Sequence, residues 1–97
     1  MVELFIFPDD ARWDEAEDAV LFTVQIGEYR GNVVVPRRLL QSLAGSRLKP
    51  EECVEQFHMN RTGFERIAEA KVKELQLDDD ANIRIRASDL KRNASAL

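Results

Sequence analysis

The sequence predicts a small α+β domain in which a mostly antiparallel sheet, in the element order β-β-β-α-α-β, carries one long helix packed on one face. Apolar residues recur at every second position over 20–26 and again over 29–35, which is the period of a strand with one buried face. Over 53–75 they recur instead at spacings of three and four, the period of a helix with one apolar stripe. A chain of 97 residues forms one such domain with its own core, so we expect a single domain over 1–90 and a frayed tail over 91–97.

The first part of the chain is predicted to form three strands. The run Leu4–Phe7 is apolar and aromatic and is ended by a proline, which favours a short strand. An acidic, turn-rich stretch follows over 9–18. The next two strands, 20–26 and 29–35, meet at Gly27-Glu28, a pair that suits a type II′ turn because glycine accepts a positive φ. We therefore expect a β-hairpin here.

Two helices are predicted next. Pro36 suits the first turn of a short leucine-bearing helix, and Gly45 suits its C-terminal cap. The long helix opens at Pro50, followed by two glutamates in its first turn. Gly63 costs about 1 kcal/mol relative to alanine inside a helix, and the sequence leaves open whether the long helix bends or breaks over 59–63. The apolar stripe of the long helix consists of Cys53, Phe57, Phe64, Ile67, Ala68, Val72 and Leu75.

A last strand is predicted after the acidic stretch 78–80. Ile83 and Ile85 would face the core, and the alternating Arg84 and Arg86 would face solvent. Ser88 suits the N-terminal cap of a short final turn. The sheet is therefore predicted to close with a strand that lies far along the chain from the hairpin.

Composition and charge limit the function classes. A formal net charge of -4 means that the whole molecule is weakly repelled by nucleic-acid phosphates. One cysteine permits no internal disulfide and suits a reducing compartment. The sequence has neither a basic, apolar leader nor a run of about 20 apolar residues, so we expect a cytoplasmic chain without a membrane anchor.

No catalytic or metal-binding pattern is found in the sequence. His58 has no nucleophile or carboxylate partner at a familiar spacing, and Cys53 lies on the apolar stripe, which favours a buried, inert thiol. Asp78, Asp80 and Asn82 resemble the start of a calcium loop, but isoleucine stands at the position where that loop needs glycine. We expect a solvated acidic turn there, no enzyme activity, no metal and no cofactor.

Five arginines form the candidate contact site for an anion or a partner. If the last strand lies beside the hairpin, they cluster. The two predicted helices also resemble a helix-turn-helix, but the second would present Glu51 and Glu52 to DNA phosphates. The alternative to a contact site is an ordinary solvated sheet face, which we favour. The candidate residues are Arg30, Arg37, Arg38, Arg84 and Arg86.

The chain also resembles a known family. The residues that carry the resemblance are Phe7-Pro8-Asp9, Trp13-Asp14, Phe57-x-x-Asn60-Arg61-x-x-Phe64-Glu65-x-x-Ala68 and Ser88-Asp89-Leu90. In this order, over nearly the whole chain, they resemble the bacterial domain-of-unknown-function family numbered fourteen eighty-eight. The resemblance implies a small bacterial α+β domain without established activity or catalytic residues. Some members carry the label of transcriptional regulator, which the charge argument does not favour.

Two functional hypotheses follow. The first is a non-enzymatic module that binds an unidentified protein partner or associates with itself. The second is a transcriptional regulator that touches nucleic acid through the local arginine patch. The first rests on the lack of catalytic signals and the second on the five arginines, against the opposing net charge of -4.

Overall fold

A four-stranded mixed sheet in the order β1-β2-β3-β4 organises the computed structural model, which describes residues 4–92. β1 pairs with β2 and β2 with β3 in antiparallel fashion, whereas β4 joins β3 in parallel. The predicted α+β class and the mostly antiparallel sheet are confirmed. The elements are β1 (Arg12–Asp14), β2 (Ala19–Ile26), β3 (Tyr29–Pro36), α1 (Arg37–Ala44), α2 (Pro50–Met59), α3 (Arg61–Lys73), β4 (Ile83–Arg84) and α4 (Ala87–Arg92).

The β2–β3 hairpin is as the alternation predicts. Its register runs from Ala19 opposite Pro36 to Ile26 opposite Tyr29. Gly27 has a φ of 58°, the positive value that the first position of a type II′ turn requires. The hairpin is therefore encoded locally, by period-two alternation and one glycine.

The prediction of a first strand over 4–7 is wrong. Only Ile6 bridges β2, through two backbone hydrogen bonds to Gln25 of 2.8 and 2.9 Å, and β1 lies instead within the stretch predicted to be an acidic turn. Between the Ile6 bridge and the pairing of β1 with β2, the carboxylate of Asp10 accepts the backbone N–H of Thr23 at 3.0 Å. A side chain thus replaces the backbone partner at the point where Pro8, which has no N–H, disrupts regular pairing.

The predicted long helix is divided into α2 and α3, so the break that the sequence left open over 59–63 is present. The break is at Asn60, whose side chain donates to the Gln56 carbonyl at 3.0 Å and ends α2. The Asn60 carbonyl then accepts the N–H of Phe64 at 3.1 Å and starts α3. Gly63 is buried inside α3 and is not the breaking residue.

The helices bury their apolar stripe against one face of the sheet. Phe57 packs between Phe22 of β2 and Phe64 of α3, with ring centroids 4.8 and 5.6 Å apart. The last two residues of the predicted stripe are not fully buried. Val72 is half-buried, and Leu75 is 80% exposed because α3 ends at Lys73. Ile26, expected opposite the stripe, is only half-buried at the end of β2.

The predicted helix ends are partly right. Gly45 caps α1 in the left-handed region, with a φ of 74°, as predicted. Pro36 is not in the first turn of α1 but ends β3 at the capping position. Ser88 lies inside α4, and the carboxylate of Asp89 accepts the Arg86 N–H at 2.8 Å in place of a serine cap.

The frayed tail over 91–97 stays a prediction. Residues 91 and 92 belong to α4, and 93–97 lie outside the described residues. None of the helices over 4–92 is long and apolar enough to cross a lipid bilayer.

Candidate functional site

The face of the sheet opposite the helices, here called the open face, has its own small apolar centre. Ala19, Leu21 and Val34 are buried there and form a cluster separate from the main core, with no helical residue in it. Arg12 lies opposite Leu21, and Arg84 lies opposite Val34, so both arginine side chains start on this face. The open face therefore consists of apolar residues beneath charged ones.

The five candidate arginines are only partly brought together. Because β4 lies beside β3, Arg84 approaches Arg37 and Arg38, and these three line one groove of about 280 Å³ with Glu17 and Asp18. Arg86 instead lines a separate cavity, in which Arg84 also takes part. Arg30 lies four residues before Val34 in β3, roughly 13 Å away along the strand. Their role in contacting an anion or a partner stays a prediction.

Carboxylates compensate the positive charge in this groove. Arg84 pairs with Glu17 at 2.6 Å, and its Nε lies 3.7 Å from Asp78. The Nε of Arg37 lies 3.0 Å from Asp18, although the angle is too poor for a hydrogen bond. The Arg37 guanidinium also stacks over Trp13, 4.8 Å from the ring centroid. A phosphate would have to compete with these carboxylates, which weakens the case for nucleic acid.

Charge is separated across the open face. Asp14 on β1 and Asp10 just before it lie on one side, and Arg30 on β3 and Arg38 just after it lie on the other. Glu17 and Arg84 pair with each other across this face and so belong to neither side. Arg12 is the exception, because it sits on the acidic side, 3.4 Å from a carboxylate oxygen of Asp10 and 3.1 Å from Asn32. We name the two sides the acidic edge (Asp10 and Asp14) and the basic edge (Arg30 and Arg38).

A buried ion pair lies beside β4. The ammonium of Lys71 on α3 donates to Asp89 on α4 at 2.8 Å, and the two side chains are only 10% and 7% exposed. Lys71 lines a cavity of about 310 Å³ together with Arg84 and Arg86, here called the Lys71 cavity. Sequence reasoning missed Lys71, although it lies four positions after Ile67 and so continues the spacing of the apolar stripe.

The loop over 78–82 holds β4 against the hairpin. The carboxylate of Asp78 accepts the N–H groups of Asp80 and Asn82, each at 2.9 Å. The hydroxyl of Tyr29 donates to the Ala81 carbonyl at 2.7 Å, and burial followed by the charge of Asp78 raises the pKa of Tyr29. The acids that resembled a calcium loop therefore cap their own turn. Within the described residues, no three His, Cys, Asp or Glu side chains are grouped to hold a metal ion.

Arg61 connects the N-terminal segment to α3. Its guanidinium bonds Asp9 at 3.0 Å, Glu65 at 2.8 Å and the Phe7 carbonyl at 3.4 Å. The hydrogen bond to Glu65 is the largest cause of the raised pKa of Arg61. Two of the motif segments quoted above, separate in sequence, thus meet at one arginine.

Cys53 and His58 do not form a catalytic pair. Cys53 is fully buried in the core, as predicted, and burial raises the pKa of its thiol. His58 is exposed, with its ring against the edge of Phe57. No hydrogen bond joins the two side chains in the part of the chain that the structure describes. A raised thiol pKa opposes formation of the thiolate nucleophile.

Comparison with known proteins gives the family. The model of the DUF1488 family, described as a protein of unknown function, matches residues 5–85. A crystal structure of a protein of unknown function from the same family, from Shewanella loihica PV-4, superposes with a TM-score of 0.81 at 23% identity, covering 88% of this chain and 94% of that one. No curated protein matches. The structural likeness supports the fold, and the match over 5–85 shows that the chain belongs to the DUF1488 family.

Proposed function

We propose that this protein is a non-enzymatic module that associates with a second copy of itself through the open face of its sheet. The observation that carries the proposal is the separation of charge around an apolar centre. Ala19, Leu21 and Val34 lie between the acidic edge and the basic edge. Within residues 4–92 no helical residue belongs to this apolar cluster, and an antiparallel sheet face of this kind is available for such a contact.

A second copy is the occupant that best fits this charge pattern. A two-fold axis through the apolar centre would bring the acidic edge of each copy against the basic edge of the other. Such complementarity favours one orientation and disfavours partners of like charge. A uniformly acidic or basic partner would match only half of the face.

Exposed apolar residues beside the acidic edge also support the proposal. Ile6 lies opposite Gln25, so its side chain projects on the open face, and it is 56% exposed. Leu4, two residues earlier, is 74% exposed. Contact with another copy would remove this apolar surface from water, at about 25 cal/mol per Å² buried.

The test measures self-association by sedimentation velocity over a range of concentrations, at low and at moderate salt. We expect a monomer–dimer equilibrium that weakens as salt screens the contacts between the edges. The double change Arg30→Glu and Arg38→Glu should abolish dimers, and so should Asp14→Lys. Mixing these two proteins should restore dimers, because each then offers the charge that the other lacks.

Matched controls separate the open face from net charge. Arg66→Glu and Glu55→Lys change exposed residues on the helices, far from the open face in sequence and structure. They should leave association unchanged. A wild-type protein that is monomeric at millimolar concentration and low salt, or controls that disrupt dimers as strongly as the edge variants, would overturn the proposal.

Nucleic-acid contact is the second candidate, and one observation favours it. Arg37, Arg38 and Arg84 line a single groove, as a phosphate-binding patch would require. The same groove contains Glu17 and Asp18, which repel phosphate. Fluorescence-anisotropy titrations with duplex DNA should therefore show weak, non-selective binding that vanishes as salt rises. Tight, sequence-selective binding at physiological salt, abolished by Arg84→Ala and Arg86→Ala, would favour a regulator instead.

A further inference from the structure

We propose that the Lys71 cavity is a binding site for an oxyanion, the carboxylate or phosphate group of a small molecule. The cavity lies between the C-terminal end of α3, the following loop and β4, and it occupies about 310 Å³. Arg84 also lies on the open face, but Lys71 and Arg86, which carry the proposal, are not among the residues proposed for self-association. Its walls consist of Lys71, Gln76, Leu77, Asp78, Arg84 and Arg86.

Lys71 supplies the first reason. Its side chain is 10% exposed, and an ammonium group has three N–H donors. One donor is used by Asp89 at 2.8 Å, the one acceptor that residues 4–92 offer it. A buried charge is costly unless its hydrogen-bonding groups are satisfied. Two donors at the cavity wall therefore remain for an oxygen ligand.

Arg86 supplies the second reason. Within the described chain, its guanidinium forms neither an ion pair nor a side-chain hydrogen bond, while its backbone N–H is held by Asp89 at 2.8 Å. The side chain is exposed and lines the same cavity. A planar fork of donors held on a fixed backbone suits a carboxylate or phosphate, both of which accept two parallel bonds.

The side chains that line the cavity carry a net positive charge, but neighbouring carboxylates cancel it. Its walls contain the cations Lys71, Arg84 and Arg86 against the one carboxylate of Asp78. Asp89 and Glu17, which bind Lys71 and Arg84 respectively, balance the remaining charge. Binding must then come from hydrogen bonds at short range and not from a long-range field, so we expect a weak, saturable site.

The size of the cavity indicates the class of ligand. A volume of about 310 Å³ is far more than the roughly 10–15 Å³ that one water needs. A bare phosphate leaves room for an attached group of several heavy atoms. The amide of Gln76 and the apolar side chain of Leu77 are in the wall to contact that group.

The test is isothermal titration calorimetry of the full chain with sodium phosphate and, separately, sodium acetate, at constant ionic strength set by sodium chloride. We expect saturable one-to-one binding of at least one anion. Phosphate alone would identify a phosphoryl ligand, and acetate alone a carboxylate ligand. Arg86→Gln should weaken binding about ten-fold or more, since a hydrogen bond to a charged group is lost, while the backbone bond to Asp89 is kept.

The controls exclude a general charge effect and loss of folding. Arg66→Gln removes the same charge from an exposed site on α3 and should not change binding. Lys71→Arg keeps the charge, and a thermal melt of each variant shows whether it is folded under the conditions of the titration. Absence of saturable binding by both anions, or equal weakening by Arg66→Gln and Arg86→Gln, would overturn the proposal.

Discussion

Replacing Phe64 by alanine is the most direct test of how the helices pack on the sheet. Phe64 is fully buried, and its ring stacks on Phe57 with centroids 5.6 Å apart and planes 15° apart. The ring of Phe57 in turn contacts Phe22 of β2, so α2, α3 and the sheet meet at these three rings. The change would remove the part of the aromatic cluster that α3 provides.

The expected loss of unfolding free energy is about 3–5 kcal/mol, the usual cost of a buried Phe→Ala change. Transfer of a buried aromatic side chain accounts for about 1.5–3 kcal/mol of it. The aromatic contact with Phe57 adds about 0.5–1.5 kcal/mol, and the remaining cavity supplies the rest. Domains of this size have a total stability of about 5–15 kcal/mol, so the variant would be marginal.

Urea unfolding followed by far-ultraviolet circular dichroism measures this loss, with tryptophan fluorescence from Trp13 as a second probe. Phe5→Ala is the matched control, since Phe5 is only half-buried and stacks on Phe7 at 6.4 Å. It should cost clearly less than Phe64→Ala. A loss below about 1 kcal/mol for Phe64→Ala, with an unchanged dependence on urea, would refute the packing described above.

Three further predictions concern single side chains. Cys53 should react slowly with a thiol reagent in the native protein and rapidly in urea, because it is fully buried with a raised pKa; rapid native labelling would contradict its burial. Gly31→Ala should cost about 1–3 kcal/mol by thermal melts, since its Cβ would overlap the Tyr29 hydroxyl, and it should cost more than Tyr29→Phe, which loses one hydrogen bond only. Burial opposes ionisation of Asp10, but hydrogen bonds from Thr23 outweigh it and lower the pKa below the ordinary value of 3.8. The stabilisation is therefore present above that value and lost as pH falls through the lower folded pKa, so wild type should lose more stability than Asp10→Asn on acidification. Equal losses for the two proteins would contradict it.

Much of the fold follows from local patterns. The hairpin, the glycine cap of α1, the buried Ile83 and Ile85, and the break between α2 and α3 all depend on residues within a few positions of each other. The first strand does not, because Asp10 takes the place of a backbone partner at Thr23, thirteen positions away. For this reason the apolar run Leu4–Phe7 was wrongly predicted to be the first strand, which is Arg12–Asp14.

The candidate site was predictable only in part. The alternation of apolar and charged residues predicted that Arg84 and Arg86 point away from the core. No pattern in the neighbouring residues predicted that β4 pairs with β3. Sequence reasoning did not identify Lys71 as buried, because a charged residue at the spacing of an apolar stripe usually lies in solvent at the edge of that stripe. Its burial depends on Asp89, eighteen positions later, which neutralises it.

The sequence by itself determined the class of fold, the hairpin, the apolar stripe that covers the sheet, and the membership that the resemblance implied, because each depends on residue order and spacing. The tertiary structure decided which strand lies at each edge and which charges meet. Arg61 reaches Asp9 across 52 positions, and Arg84 reaches Glu17 across 67. Such contacts form only after the chain has closed loops of that length, and no periodicity in the intervening residues records which ends will meet.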